Sequence, residues 1–160
     1  MSAPDWHASL SLDSRGLGYD DGLRLVGQTP DGTTVWLVAS RGSGAAVYEE
    51  HLWEYRPSSG ASRLVGDTSE VAVWWLIPSP DQHMLAVVQP FAGETTARQE
   101  PMPLHVIDAR SGTIRVVARP PWHSGARLTP ICWSASVARR LYFADEKDTL
   151  WRLDMAQPPP

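Results

Sequence analysis

The chain has 160 residues, of which 42% are hydrophobic and 20% charged, with a net charge of −4. This length suits one domain with its own core, and the composition is that of a globular protein rather than a disordered one. No apolar run approaches the roughly 20 residues of a spanning helix, and no basic stripe marks a nucleic-acid binder, so we expect neither membrane insertion nor a nucleic-acid partner. Residues 1–5 lack a signal pattern, which predicts a cytoplasmic protein; a periplasmic location follows instead if a signal was removed.

Short runs of β-branched and aromatic residues alternate with turn sequences along the chain, and no long helical periodicity competes with them. The first predicted strand, over residues 7–12, precedes the rest and is one strand extra. Three groups of strands follow, which we place at residues 23–66, 71–118 and 128–154. The run Val71 to Ile77 is apolar throughout, which is typical of a strand buried on both faces.

The three groups share residues at a spacing of about 50 positions, which indicates an internal repeat. The matches are Pro30-Asp31 with Pro80-Asp81, Leu52 with Leu104 and Leu150, Gly60 with Gly112, Val65 with Val117, and Asp108 with Asp154. Each repeat is predicted to run strand, Pro-Asp turn, strand, loop, strand, Ser-Gly turn, strand, and the third repeat lacks a fourth strand. A period near 50 residues with four strands is that of a propeller blade.

Residues 79–88 and 104–112 resemble the WD40-like repeat of TolB-type β-propellers, with Gln82 where that family favours glycine. The resemblance covers roughly residues 23–154 and implies an all-β fold of about three four-stranded antiparallel blade-like units. Known propellers usually have about 4–8 blades, so three cannot close a ring. We therefore expect a half propeller completed by dimerisation. The alternatives are a smaller non-propeller stack and a piece of a longer chain, and the strand over 7–12 is expected to complete the last blade of its own chain or of a neighbour.

Residues that could carry chemistry form no recognisable constellation. The five histidines lack metal-ligand spacing, although His83 and His105 fall in one repeat and could approach each other. The stretch from Asp13 lacks the alternating oxygen ligands of a calcium loop, and Ser43 lacks the strand and helix of a nucleophile elbow. Cys132 lies in an apolar setting and is predicted to be a buried, inert thiol. We expect no catalytic residues, no metal and no cofactor.

Tryptophan is strongly over-represented, with eight residues. Those in predicted strands are expected to fill the gaps between blades, where a large side chain buries most area: Trp36, Trp53, Trp74, Trp75, Trp133 and Trp151. Adjacent strand residues point to opposite faces, so Trp74 and Trp75 cannot share an interface. Trp122 lies in a proline-braced loop and is expected to be an exposed contact residue. The candidate binding residues are Trp75, Trp122 and His123.

These observations favour a non-catalytic binding or scaffolding module that self-associates and holds a protein or peptide partner in its blade-edge loops. The loops long enough for recognition are residues 40–46, 90–103 and 119–126. One alternative is a propeller that binds a carbohydrate or small molecule on aromatic platforms. Another is an accessory propeller of a larger hydrolase.

Overall fold

The computed structural model describes residues 22–43, 46–89, 101–122 and 125–155. All secondary structure in these ranges is β: eleven strands form three antiparallel sheets of four, four and three strands, none closed into a barrel. The all-β prediction is therefore confirmed, whereas the strand predicted over residues 7–12 lies outside the described residues. Within the described ranges, no helix has the length and apolarity that a membrane crossing requires. The chain divides into two compact units, Met1–Val71 and Ala72–Pro160.

The first unit contains one four-stranded meander. Its strands are β1 (Gly22–Gln28), β2 (Val35–Ser43), β3 (Ala46–Arg56) and β4 (Ala61–Asp67), hydrogen-bonded in that order. Trp36, Leu37 and Val38 of β2 are all fully buried. Because consecutive strand residues point to opposite faces, this central strand is covered on both sides. One cluster of this core joins Leu37 to Tyr55 of β3.

The second unit contains the other two sheets. The four-stranded sheet runs β5 (Trp75–Pro78), β6 (Met84–Val88), β7 (Leu104–Asp108) and β8 (Ile114–Ala118), again in chain order. The third sheet consists of β9 (Leu128–Trp133), β10 (Arg140–Asp145) and β11 (Leu150–Asp154). The order of strands in each sheet follows the chain, as expected where consecutive strands are joined by short turns.

The core of the second unit lies between its two sheets. Its buried members are Ala86, Leu104, Val106, Trp133, Leu141 and Phe143. Partly buried side chains such as Ile77 and Leu153 pack against this cluster. Residues from both sheets contribute, so each sheet covers an apolar face of the other.

The turn after the first strand of each sheet closes with a backbone hydrogen bond of the same kind. The bonds run from the Thr29 N–H to the Thr34 carbonyl (2.9 Å), from the Ser79 N–H to the Met84 carbonyl (2.7 Å) and from the Ser134 N–H to the Arg140 carbonyl (2.8 Å). The third turn, which lacks the Pro-Asp sequence, is one residue longer. The residues that follow the turn, Val35, Leu85 and Leu141, are therefore equivalent.

Side chains close the Pro-Asp turns. The Ser79 hydroxyl donates to Asp81 Oδ1 at 2.6 Å, and the His83 N–H donates to the same oxygen at 3.1 Å. Burial alone would raise the pKa of Asp81, but these donors and the nearby positive charge lower it overall. Gln82 has a φ of 58°, the left-handed region that Gly32 occupies at 69° in the first turn. Gln82 therefore has the same left-handed backbone conformation as Gly32, although it is not a glycine.

Three expectations about burial were wrong. The run over 71–77 is not buried on both faces, since strand β5 begins only at Trp75 and both Trp74 and Trp75 are exposed. Trp151 is 51% exposed rather than buried between blades, because it lies on β11, the last strand of its sheet. Cys132 is exposed. It pairs with Tyr142 and points away from the face on which neighbouring Trp133 enters the core.

Candidate binding site

A cleft of about 480 Å³ opens in the second unit where the first strands of its two sheets begin. Residues from four separate segments line it: Trp74, Val88, Gln89, Met102, Arg127, Leu128 and Thr129. Segments distant in sequence meet here because β5 and β9 are in contact. The cleft is therefore a product of how the two sheets pack.

Trp74 forms one wall of the cleft. Its N–H donates at 2.9 Å to the carbonyl of Val88, the residue of β6 with which Trp75 pairs. The backbone at this position is thus fixed by the sheet, while 63% of the residue's surface remains exposed. A rigid backbone that presents a large, accessible indole is a typical arrangement for recognition.

The opposite wall is fixed by an isolated parallel bridge between Met102 and Arg127. The Met102 N–H donates to the Ala126 carbonyl at 2.8 Å, and the Leu128 N–H donates to the Met102 carbonyl at 3.1 Å. Arg127 therefore lies between two residues, Ala126 and Leu128, whose backbones are both hydrogen-bonded to Met102. The backbone of Arg127, which directly precedes β9, is therefore held in a defined position, and this limits where its guanidinium can lie.

The lining of the cleft is largely apolar. Val88, Met102 and Leu128 complement the indole, while Gln89 and Thr129 add neutral polar groups. Among the lining residues that the structure describes, Arg127 is the one that carries a charge, and none has a carboxylate, an imidazole or a thiol. An apolar surface beside a guanidinium suits a ligand that combines an apolar group with an anionic one.

Two of the three residues predicted to bind lie within the described ranges. Trp75 is 39% exposed at the start of β5, directly after Trp74, and it does not line the cleft. Trp122 is 86% exposed and also lies outside the cleft lining. His123 lies outside the described residues. The binding roles assigned to all three from the sequence stay predictions.

The histidine pair of the second repeat is held apart by β6. The Ala109 N–H donates to the His83 carbonyl at one end of that strand, whereas His105 pairs with Val87 four residues further on. At about 3.3 Å per residue, the separation along the strand is roughly 13 Å, too long for one metal ion to join both side chains. Within the ranges that the structure describes, no group of three or more potential metal ligands occurs.

His105 itself is half-buried, with an Nδ1 that has no hydrogen-bond partner. Burial lowers the pKa of His105, and the positive charge of nearby Arg119 lowers it further. A contact with the Pro103 carbonyl raises the pKa, but the net shift is downward. The charged form of the imidazole is therefore disfavoured. It lies outside the cleft lining, and we assign it to the packing of β7 rather than to binding.

Sequence reasoning missed both Trp74 and Arg127 as site residues. A partial signal existed for Trp74, because two adjacent strand residues cannot share one interface, but this reasoning did not say which of Trp74 and Trp75 would be exposed. No such signal existed for Arg127, which is one of 14 basic residues in the chain. Its importance depends on the bridge to Met102, which only the fold reveals.

The sequence matches no protein-family model and has no significant match among curated proteins.

Proposed function

We propose that this protein is a non-catalytic binding module of β-propeller type, and that the cleft beside Trp74 holds a segment of a protein or peptide partner. The observation that carries the proposal is the position of Trp74: 63% exposed, on a backbone fixed by the sheet, in a cleft with apolar walls and an arginine. Tryptophan and arginine are the residue types that most often dominate the energy of protein interfaces.

The exposed indole can supply a useful share of the binding free energy. Aromatic side chains bury about 150–250 Å² each, so a partner that covers most of the exposed part of Trp74 removes roughly 100 Å² from water. At about 25 cal/mol per Å², this contributes ~2–3 kcal/mol before ordering costs. Neighbouring apolar side chains and an ion pair to Arg127 add to that value.

The propeller assignment is supported by the three meanders with a shared register, each of which has the strand order of a blade. We further propose that two chains complete one ring. Light scattering coupled to size-exclusion chromatography tests this, with an expected mass near twice 17.6 kDa. A monomeric mass would contradict ring closure by dimerisation and would leave the cleft proposal to be judged separately.

A second candidate function is binding of a small molecule. The cleft volume of about 480 Å³ falls within the range of about 300–1,000 Å³ that is common for small ligands. A small molecule would fill the cleft alone, whereas a peptide would extend beyond it. The two candidates are distinguished by whether residues outside the lining affect the affinity.

The protein or peptide proposal can be tested by selecting a random 12-residue peptide library on the immobilised protein and measuring the selected peptides by fluorescence anisotropy. Trp74→Ala is expected to weaken binding at least tenfold, since it removes the exposed wall of the cleft. Leu64→Ala, which removes another large exposed apolar side chain, on β4 and outside the lining, is the control and is expected to leave binding within twofold. Selected peptides that ignore Trp74→Ala, or no selected peptide at all, would contradict the proposal.

A further inference from the structure

The third sheet has an open edge where the other two sheets carry a fourth strand. In the first sheet β4 pairs with β3, and in the second β8 pairs with β7. Strand β11 occupies the same position as β3 and β7. In the described part of the chain it pairs only with β10.

A leucine that occurs at the same position in all three sheets is buried in the two four-stranded sheets and exposed in the three-stranded one. The strand registers make Leu52, Leu104 and Leu150 equivalent, because each lies three residues before the partner of the first residue after the turn. Leu52 and Leu104 are 0% exposed and pair with residues of β4 and β8. Leu150 is 62% exposed. The neighbouring Trp151 is 51% exposed.

The backbone of β11 is oriented to accept another strand. Directly opposite residues are bonded at both ends of the hairpin: the Asp145 N–H donates to the Thr149 carbonyl and the Met155 N–H to the Arg139 carbonyl, both at 3.1 Å. In an antiparallel pair the bonded residues alternate, so Leu150, Arg152 and Asp154 direct their N–H and C=O groups toward the open edge. An edge of this kind is a template for strand addition.

An ion pair between β3 and β4 of the first sheet indicates which charge a strand added to β11 should carry opposite Arg152. Glu54 on β3 lies opposite Arg63 on β4, and their side chains form an ion pair at 2.5 Å. The residue of β11 equivalent to Glu54 is Arg152, which has the opposite charge. Asp154 already forms an ion pair with Arg140 at 2.6 Å. A strand that pairs with β11 should therefore place an acidic residue opposite Arg152.

The fourth strands of the other two sheets, β4 and β8, also indicate which residue type an added strand should carry opposite Trp151. Leu64 of β4 lies opposite Trp53, and Val116 of β8 lies opposite His105. The equivalent residue of β11 is Trp151. An aliphatic residue at this point of the added strand would cover the flank of the exposed indole.

We propose that the edge of β11 binds an extended segment of a partner protein, which runs antiparallel to β11 with an acidic residue opposite Arg152 and an aliphatic residue opposite Trp151. The strand predicted over residues 7–12 contains no acidic residue and therefore does not meet this requirement. This interaction is independent of the cleft beside Trp74. It completes the third sheet to the four strands that the other two contain.

Two peptides test the proposal. One has the sequence of residues 113–119, which includes β8, and the other carries the change Arg115→Glu, at the position that faces Arg152 in the proposed register. The Arg115→Glu peptide is expected to bind about fivefold more tightly, as expected for a cross-strand charge pair, and the preference should reverse in the Arg152→Glu protein. Trp74→Ala should leave both affinities unchanged. Equal binding of the two peptides, or no binding at millimolar concentration, would overturn the proposal.

Amide hydrogen exchange, followed by NMR, supplies a second measurement. In the isolated protein the amides of Leu150, Arg152 and Asp154 should exchange at least tenfold faster than those of Trp151 and Leu153, which point toward β10. Addition of the Arg115→Glu peptide should slow the exchange of the first three. If these three amides are already protected in the isolated protein, its own chain or a second copy fills the edge, and the proposal of a partner protein is wrong.

Discussion

The indole Nε1 of Trp133 donates a 2.8 Å hydrogen bond to the carbonyl oxygen of Ile77 and thereby joins β9 to β5. Trp133 is only 8% exposed, and its ring belongs to the core between the two sheets of the second unit. The bond satisfies a buried indole N–H and fixes the distance between the strands whose starts form the cleft. Packing of this core and geometry of the cleft are therefore linked.

We predict that Trp133→Phe destabilises the protein by about 1–3 kcal/mol, because it removes a buried hydrogen bond between β9 and β5 and leaves a smaller ring in the core. Urea unfolding followed by circular dichroism measures the change. Trp151→Phe is the matched control, since that indole also donates a bond, to Asp145 Oδ2 at 3.0 Å, but at an exposed position. A cost below ~0.5 kcal/mol is expected for the control. Equal costs would mean that burial of the Trp133 bond contributes nothing.

Stability should decrease in acid through the turn carboxylates. The pKa of Asp81 is lowered in the folded protein, as described above, so the stabilisation is complete above the unfolded value of 3.8 and is lost as the pH falls through the lower folded value. We expect the melting temperature of Asp81→Asn to lie below that of the wild type at pH 7, and the difference between the two to narrow as the pH falls below 3.8. Exposed Glu70→Gln is the control and should show no such gap. A gap that persists unchanged at low pH would rule out the carboxylate as its source.

Gly60 provides a test of backbone conformation. Its φ is 70° and its N–H donates to the Arg56 carbonyl at 2.9 Å, so it closes the turn between β3 and β4 in the left-handed region. A Cβ at this position would meet nothing within 4 Å, which leaves backbone strain as the only cost. We expect Gly60→Ala to destabilise the protein by about 1 kcal/mol. Ser58→Ala in the same turn is the control and should change the unfolding free energy by less than ~0.5 kcal/mol. An equally small change for Gly60→Ala would show that the left-handed backbone at this position causes no strain when the residue is not glycine.

Cys132 should react as a surface thiol. It is exposed and is the single cysteine of the chain. We expect one equivalent of thiol to react with Ellman's reagent within minutes in the absence of denaturant, at a rate within tenfold of that in 6 M guanidinium. Cys132→Ser is the blank. Reaction only after unfolding would show that the thiol is protected in solution.

The sequence by itself determined the strands and their repetition. Alternating β-formers and the Pro-Asp and Ser-Gly turns are local features, and a turn fixes the register of the two strands it connects. The bonds at Thr29 and Ser79 therefore follow from neighbouring residues. The same reasoning found that the third repeat lacks a fourth strand, and the described residues agree.

Only the tertiary structure decided which apolar residues are covered. Trp74 and Trp36 have similar sequence settings, yet one is 63% exposed and the other 0% exposed, because exposure depends on what packs against each strand. Arg127 reaches the cleft through a bridge to Met102, 25 positions earlier in the chain, and no local pattern records that contact. Leu150 differs from Leu52 and Leu104 in the same way. Burial is a property of neighbours distant in sequence, so a repeat in the chain predicts equivalent positions but not equivalent environments.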